Sequence, residues 1–316
     1  MKHTVKMTVI ILALFLVTQF LGLYVVNSYA TQTVVNGNVV NQTAKTLPYG
    51  MGFNADGQNL DFISLLISFV FSLIIAISLI FLLIKINAKF ILRIWFLIVS
   101  ILALGISFTA VLPGIKYASL IGLAVAVPLG ILKIYRNSTL IHNITEIFIY
   151  PGIAAVFVPI LSLTTAIILL VVISIYDMWA VWKSKIMQKM AHFQMNELNI
   201  LGGFMIPYAS KKTREKIKNL KAKYKSRKEL EKQAKKSRIK INLAILGGGD
   251  VAYSILAAGV VLKTWGLVPS IITVAGAFLA LAGLLFFSEK KKFYPAMPFI
   301  TSGIFLALIV NYLFII

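Results

Sequence analysis

Nine runs of mainly apolar residues dominate this chain: 7–26, 62–84, 94–112, 117–132, 144–159, 161–182, 241–262, 267–287 and 294–314. A helix needs about 20 such residues to cross hydrocarbon, and in lipid only helices and closed barrels satisfy every backbone polar group. The runs are continuous and do not alternate, which selects helices. The expected fold is an all-α polytopic membrane protein with nine transmembrane helices. The fifth run is short, with Pro151 inside it and Pro159 at its end, so its boundary with the sixth is the least defined.

Basic residues orient the bundle, because Lys and Arg accumulate on the cytoplasmic side. With the N-terminus inside and connections alternating, 28 fall inside, and only Lys45, Lys116 and Lys263 fall outside. Without the long connection the short loops still divide ten against three. The expected orientation is therefore N-terminus in, C-terminus out.

The connection from Lys183 to Lys240 holds 18 Lys or Arg against four Glu, so +14 of the formal +21 lies there. It separates an N-terminal membrane region, 1–182, from a C-terminal one, 241–316, and is expected to be a basic cytoplasmic loop. A nucleic-acid reader would interleave aromatics or display its charge on a folded domain; this loop has few aromatics, and its charge suits anionic lipid at the inner leaflet. Cutting of the loop during maturation is the other reading. It opens with Ile186, Met190 and Phe193 at helical spacing, the pattern of a surface helix. The patch from Ile200 to Tyr208 is too short to span and is expected to dip into the headgroups.

The first run follows MKHTVKM and precedes Ser28-Tyr29-Ala30, which also fits a signal peptide with a small-residue cleavage site. Its length favours a retained span. The polar stretch from Asn27 to Leu60 then lies outside, where Asn41-Gln42-Thr43 is a glycan acceptor pattern; the similar Asn143-Ile144-Thr145 falls inside.

Of ten acids, only Asp177, in LLVVISIYDMWAVW, and Asp250, in LGGGDVAYS, have apolar sequence on both sides. A charged residue at the centre of a span costs roughly 2.5 to 3.5 kcal/mol on insertion scales and marks function by default. Asp177 lies six residues from Lys183 and Asp250 ten from Lys240, or about 9 Å and 15 Å at the rise of a helix. Both approach from the same side, so adjacent antiparallel spans can bring them to similar depth. Neither span contains Lys, Arg or His, and each acid's remaining partner is the other. Two carboxyls in one site hold a single proton between them. In that state one carboxylate takes a proton from water while the protonated one polarises a carbonyl. Gly247, Gly248 and Gly249, read as mid-helix, cost about 3 kcal/mol relative to alanine. They give a second backbone or a substrate room to approach Asp250, or serve small-residue helix packing.

Three motifs, in order, resemble the presenilin and signal peptide peptidase family of GxGD intramembrane aspartyl proteases. They are Tyr176-Asp177 in the sixth run, Gly247-Gly248-Gly249-Asp250 in the seventh, and Pro295-Ala296-Met297-Pro298 opening the ninth. The family has Pro-Ala-Leu at the last, where Met297 is similar in volume and more flexible. The resemblance implies a catalytic pair of Asp177 and Asp250. It assigns substrate contact to Tyr176, the three glycines, Pro295, Ala296, Met297 and Pro298. It also implies cofactor-free hydrolysis of peptide bonds inside transmembrane helices at the cell membrane. The basic loop looks like the presenilin orientation, opposite to signal peptide peptidases, so substrates are expected to be single spans with their N-terminus outside.

Such a substrate must unwind before water can attack, and unsatisfied backbone in lipid costs several kcal/mol per group. An extended partner supplied by the enzyme would offset this by strand addition. Pro295 and Pro298 either keep backbone near the site irregular and available or simply start a helix.

Other chemistries fit less well. A serine protease needs a buried base, and His3, His142 and His192 lie outside spans or at their ends. The zinc motif HExxH is absent; His142 and Glu146 have helical spacing but sit at a membrane edge. Prepilin peptidases carry a lysine two places after the Asp, where this chain has Ala252. The remaining alternative is a transporter or channel in which Asp177 and Asp250 relay protons or bind a cation.

Overall fold

The computed structural model describes residues 5–29, 32–35, 38–41, 46–51, 88–136, 138–183, 202–208, 242–288 and 294–315, with isolated positions between 67 and 86. These residues form eight helices: α1 (Val5–Tyr29), α2 (Lys89–Val111), α3 (Ala118–Tyr135), α4 (Thr139–Phe157), α5 (Leu163–Trp182), α6 (Gly248–Trp265), α7 (Leu267–Phe287) and α8 (Met297–Phe314). Two short antiparallel sheets accompany them, β1 (Gln32–Val35) with β2 (Asn38–Asn41) and β3 (Gly203–Tyr208) with β4 (Asn242–Gly247).

The eight helices match the first run and the third to ninth. The second run, 62–84, and the basic loop apart from residues 202–208, with Ile186, Met190 and Phe193, lie outside the described residues. Seven helices are long and apolar enough to cross a membrane. The exception, α6, carries Asp250 and Lys263 and is buried almost without break from Val251 to Leu262. It packs against α1, α4, α5 and α7, and a helix enclosed by protein needs no lipophilic face.

Two expectations are corrected here. The seventh run is not helical throughout, because Asn242 to Gly247 is strand β4 and the helix begins only at Gly248. Glycine is a poor helix former, and the apolar NLAIL gains a ladder by pairing with β3, in the register Phe204↔Leu246 and Ile206↔Ala244. The patch 200–208 is correspondingly not an element of its own but, from Gly203 onward, the strand β3 that pairs with β4. Phe204, Ala244 and Leu246 are buried in the main core, so the sheet covers one end of the bundle.

The uncertain fifth boundary falls after Phe157, where residues 158–162 separate α4 from α5. Ser162 caps α5, its hydroxyl accepting from the Thr165 N–H at 3.1 Å, a standard N-cap bond. Pro151 stays inside α4. The first run is a full part of the bundle: Phe15 and Gln19 of α1 are buried, and the Gln19 amide donates to the Val251 carbonyl of α6 at 3.2 Å. Helices α7 and α8 cross where Gly276 and Gly303 face each other, each closing the space a side chain on the other would need.

Candidate active site

The site forms where two helices begin. Strand β4 ends at Gly247, which caps α6 with φ −61° and ψ 139°, so Asp250 is the third residue of the helix and not a mid-helix residue. The glycine penalty foreseen from the sequence therefore does not arise, since helix-interior propensities do not govern a cap and first turn. The depth derived for Asp250 from helical rise fails for the same reason, because a strand advances about 3.3 Å per residue. An acid in the first turn faces the positive end of the helix. The Asp250 carboxyl turns back toward Gly247, its Oδ2 2.9 Å from where a Gly247 Cβ would stand, the direction a third residue takes in a capping box.

The three glycines differ in what surrounds them. A Cβ on Gly247 would stand 2.9 Å from Asp250 Oδ2, so its absence makes room for the carboxyl. A Cβ on Gly248 would stand 2.5 Å from the Tyr150 hydroxyl, so that space belongs to α4. Gly249 is exposed, and its nearest neighbour would be the Tyr253 ring at 3.6 Å. Of the three, only Gly249 is exposed.

Asp177 reaches the start of the other helix. It lies on α5, 7% exposed, and its Oδ2 accepts the Met297 N–H at 3.1 Å. Ala296 is the cap of α8, and Pro298 sits in the first turn, where a missing N–H costs nothing. Pro295 is buried and Met297 is 2% exposed. One turn deeper, Ser174 donates to Thr301 at 2.8 Å and pins α5 to α8. The Pro-Ala-Met-Pro motif thus presents an otherwise unmatched N–H of a helix start to a carboxylate.

Asp177 and Asp250 are electrostatic neighbours, on helices that pack together. Asp250 is 8% exposed. Among the described residues, the ion pairs gather at Glu146 with Lys133 and His142, and include neither of these acids. The structure thus brings together Asp177, Asp250, the three glycines and residues 296–298. Tyr176 is different: it is 43% exposed, and its ring leans on Trp179 at 6.3 Å between centroids.

Sequence reasoning missed the α4 side. Tyr150 packs over Gly248 and meets Phe204 edge-on at 6.0 Å. Glu146, read as a membrane-edge acid, is buried and paired with Lys133 of α3. His142 and Asn143, the latter noticed only as part of a glycan pattern, bond to β3. Apart from the pair of Lys133 and Glu146, 13 positions apart, these contacts join residues more than 50 positions apart, and no local pattern announces them.

A family model described as signal-peptide peptidase, presenilin aspartyl protease matches residues 51–316. Two solved structures of a presenilin family intramembrane aspartate protease share the fold. The one from a C222 crystal has a TM-score of 0.59 at 16% identity, over 96% of this chain and 98% of its own. The one from a P2 crystal has a TM-score of 0.56 at 16% identity, over 96% of each chain. No curated protein matches the sequence. The chain belongs to the signal-peptide peptidase and presenilin family of aspartyl proteases.

Proposed function

We propose that Asp177 and Asp250 are the catalytic pair with which this aspartic endopeptidase hydrolyses peptide bonds inside transmembrane helices of membrane-protein substrates. The observation that carries the reading is a pair of neighbouring, buried carboxyls, Asp250 in the first turn of α6 and Asp177 facing the start of α8, with no cation among the described residues to neutralise either. One carboxylate removes a proton from water as the oxygen attacks the scissile carbonyl carbon. The protonated carboxyl gives its hydrogen to the carbonyl oxygen. The resulting gem-diol collapses as the C–N bond breaks, the leaving amine taking a proton and one carboxyl regaining its own.

The substrate must arrive unwound. Strand β4 runs straight into the Gly247 cap of α6, and its second edge pairs with no described strand. An extended substrate segment added there would recover its backbone hydrogen bonds beside Asp250. The exposed Gly249, with Ala296, Met297 and Pro298, would line its path, and Tyr176 would meet it from the membrane side. The chain would sit in the cell membrane with its N-terminus in and C-terminus out, its basic loop against anionic lipid, and it would take single-span substrates with their N-terminus outside.

The test is a panel of transmembrane model peptides incubated with purified protein in detergent, with and without a transition-state mimic of peptide hydrolysis. Asp177→Asn and Asp250→Asn should each abolish product, and the mimic should block the wild type. Products from either variant would overturn the reading; altered ion flux without peptide products would indicate a carrier.

A further inference from the structure

The hydrogen bonds of β3 show which edge of the sheet is available. In an antiparallel ladder a residue either exchanges both backbone bonds with its partner or turns both away. Met205 spends both on Asn143 of α4: its N–H donates to Oδ1 at 3.0 Å and its carbonyl accepts from Nδ2 at 2.9 Å. Met205 is opposite Ile245, so this is the non-bonded kind of pair, and the N–H and C=O of Ile245 face the far edge of β4. Alternation places Gly203 and Pro207 on the same outer edge of β3 as Met205, and Leu243 and Gly247 on the same far edge as Ile245.

Two independent features agree with this phasing. The Gly203 carbonyl accepts from His142 Nε2 at 2.8 Å. Pro207 has no N–H to offer, as proline in an edge strand requires. At its end β4 lies beside the acid, the place of a Gly247 Cβ being 2.9 Å from Asp250 Oδ2. The outer edge of β3 is therefore occupied, at successive outward positions, by an imidazole, by an amide standing in for a strand, and by a proline. Behind His142, Glu146 approaches its Nε2 at 3.7 Å and is itself held by Lys133.

We infer that Asn143, assisted by His142, is a positioning residue that closes the outer edge of β3 and sets the register in which substrate pairs with β4. The inference rests on the proposed proteolytic function and deepens it. A strand pair can slip, and a two-residue slip preserves which face each side chain occupies. The Asn143 amide anchors β3 at one residue, β3 anchors β4, and β4 fixes which substrate bond lies at Asp250. Without the anchor, substrate can pair in more than one register, or add to β3, away from the acids.

The readout is the position of cleavage, mapped by mass spectrometry of the products of one transmembrane peptide. Asn143→Ala should spread cleavage over neighbouring bonds, with new products two residues from the wild-type site, and lower kcat about tenfold or more, as displacement of reacting groups does. KM should change less. His142→Ala frees only the Gly203 carbonyl and should give a smaller spread at the same positions, which keeps the test available if Asn143→Ala does not fold. Cleavage at the wild-type bond alone in the folded variants, whatever the rate, would overturn the inference, because a purely structural role changes the amount of active protein and not where it cuts. Asp250→Asn in the same assay separates the two ideas: product from that variant defeats the proposed function, whereas its silence with an unshifted Asn143→Ala pattern defeats the positioning role alone.

Discussion

Gly248→Ala tests the fit between α4 and the start of α6. The new Cβ would lie 2.5 Å from the Tyr150 hydroxyl and 3.1 Å from Cε1 and Cζ of its ring. Tyr150 has little room to retreat, being buried and set edge-on against the fully buried Phe204. Overpacking of this kind costs about 1–3 kcal/mol, while alanine returns at most about 1 kcal/mol of helix propensity at a first-turn position. A net loss of about 1–2 kcal/mol is expected. Tyr150→Phe removes the atom that clashes first and leaves contacts at 3.1 Å, which a shift of a few tenths of an ångström relieves. The hydroxyl has no hydrogen bond of good geometry among the described residues, so its removal should be neutral or slightly stabilising. The double variant should then recover most of the loss, a coupling of about 1–2 kcal/mol. Thermal unfolding of the four proteins in detergent measures this, at about 2–4 °C per kcal/mol for a chain of somewhat smaller size. Additivity within about 0.5 kcal/mol would refute the packing argument, as would a clear destabilisation by Tyr150→Phe alone.

The other two glycines should separate activity from stability. Gly247→Ala places a Cβ 2.9 Å from Asp250 Oδ2, so it should turn the carboxyl and slow cleavage by about 100-fold with little change in melting temperature. Gly249→Val should leave the fold intact and raise KM for transmembrane peptides, because its side chain enters the open approach; an unchanged KM would put the substrate elsewhere. Lys133→Met strands the buried Glu146 and should cost about 3–5 kcal/mol, whereas Lys133→Met with Glu146→Leu should recover most of that in the same melts.

The sequence made the spans legible because hydrocarbon imposes a length and a composition on each one. Seven of the nine expected runs coincide with helices to within a few residues, and the seventh run does so only from Gly248 onward. The two acids were legible for the same reason, since a carboxyl between apolar stretches has no cheap explanation. The error at 241–247 came from that very rule. Apolar NLAIL reads equally as buried helix or buried strand, and only its pairing with Gly203–Tyr208, some 40 residues earlier, decides for strand. The role of the prolines stayed open in the sequence, because a helix start and an exposed backbone share one signature. In the structure the first of these holds for Pro298, and the helix it starts is aimed at Asp177.

Both acids also solve a problem of the membrane itself. A helix that begins within a bundle leaves N–H groups unmatched, and water is scarce there to satisfy them; a carboxyl buried in the same place lacks donors. In this chain each lack answers the other, with the Asp250 carboxyl turned toward the Gly247 cap of α6 and the Met297 N–H on Asp177. The pairing explains why a strand and a proline motif flank the acids, where unbroken helices would have hidden every N–H. It also bears on how the Asp→Asn variants are read. The asparagine oxygen still accepts from a backbone N–H, so the caps survive, and what each change removes is the ability to take and return a proton. An asparagine variant that melts as the wild type and makes no product has therefore lost chemistry and not structure.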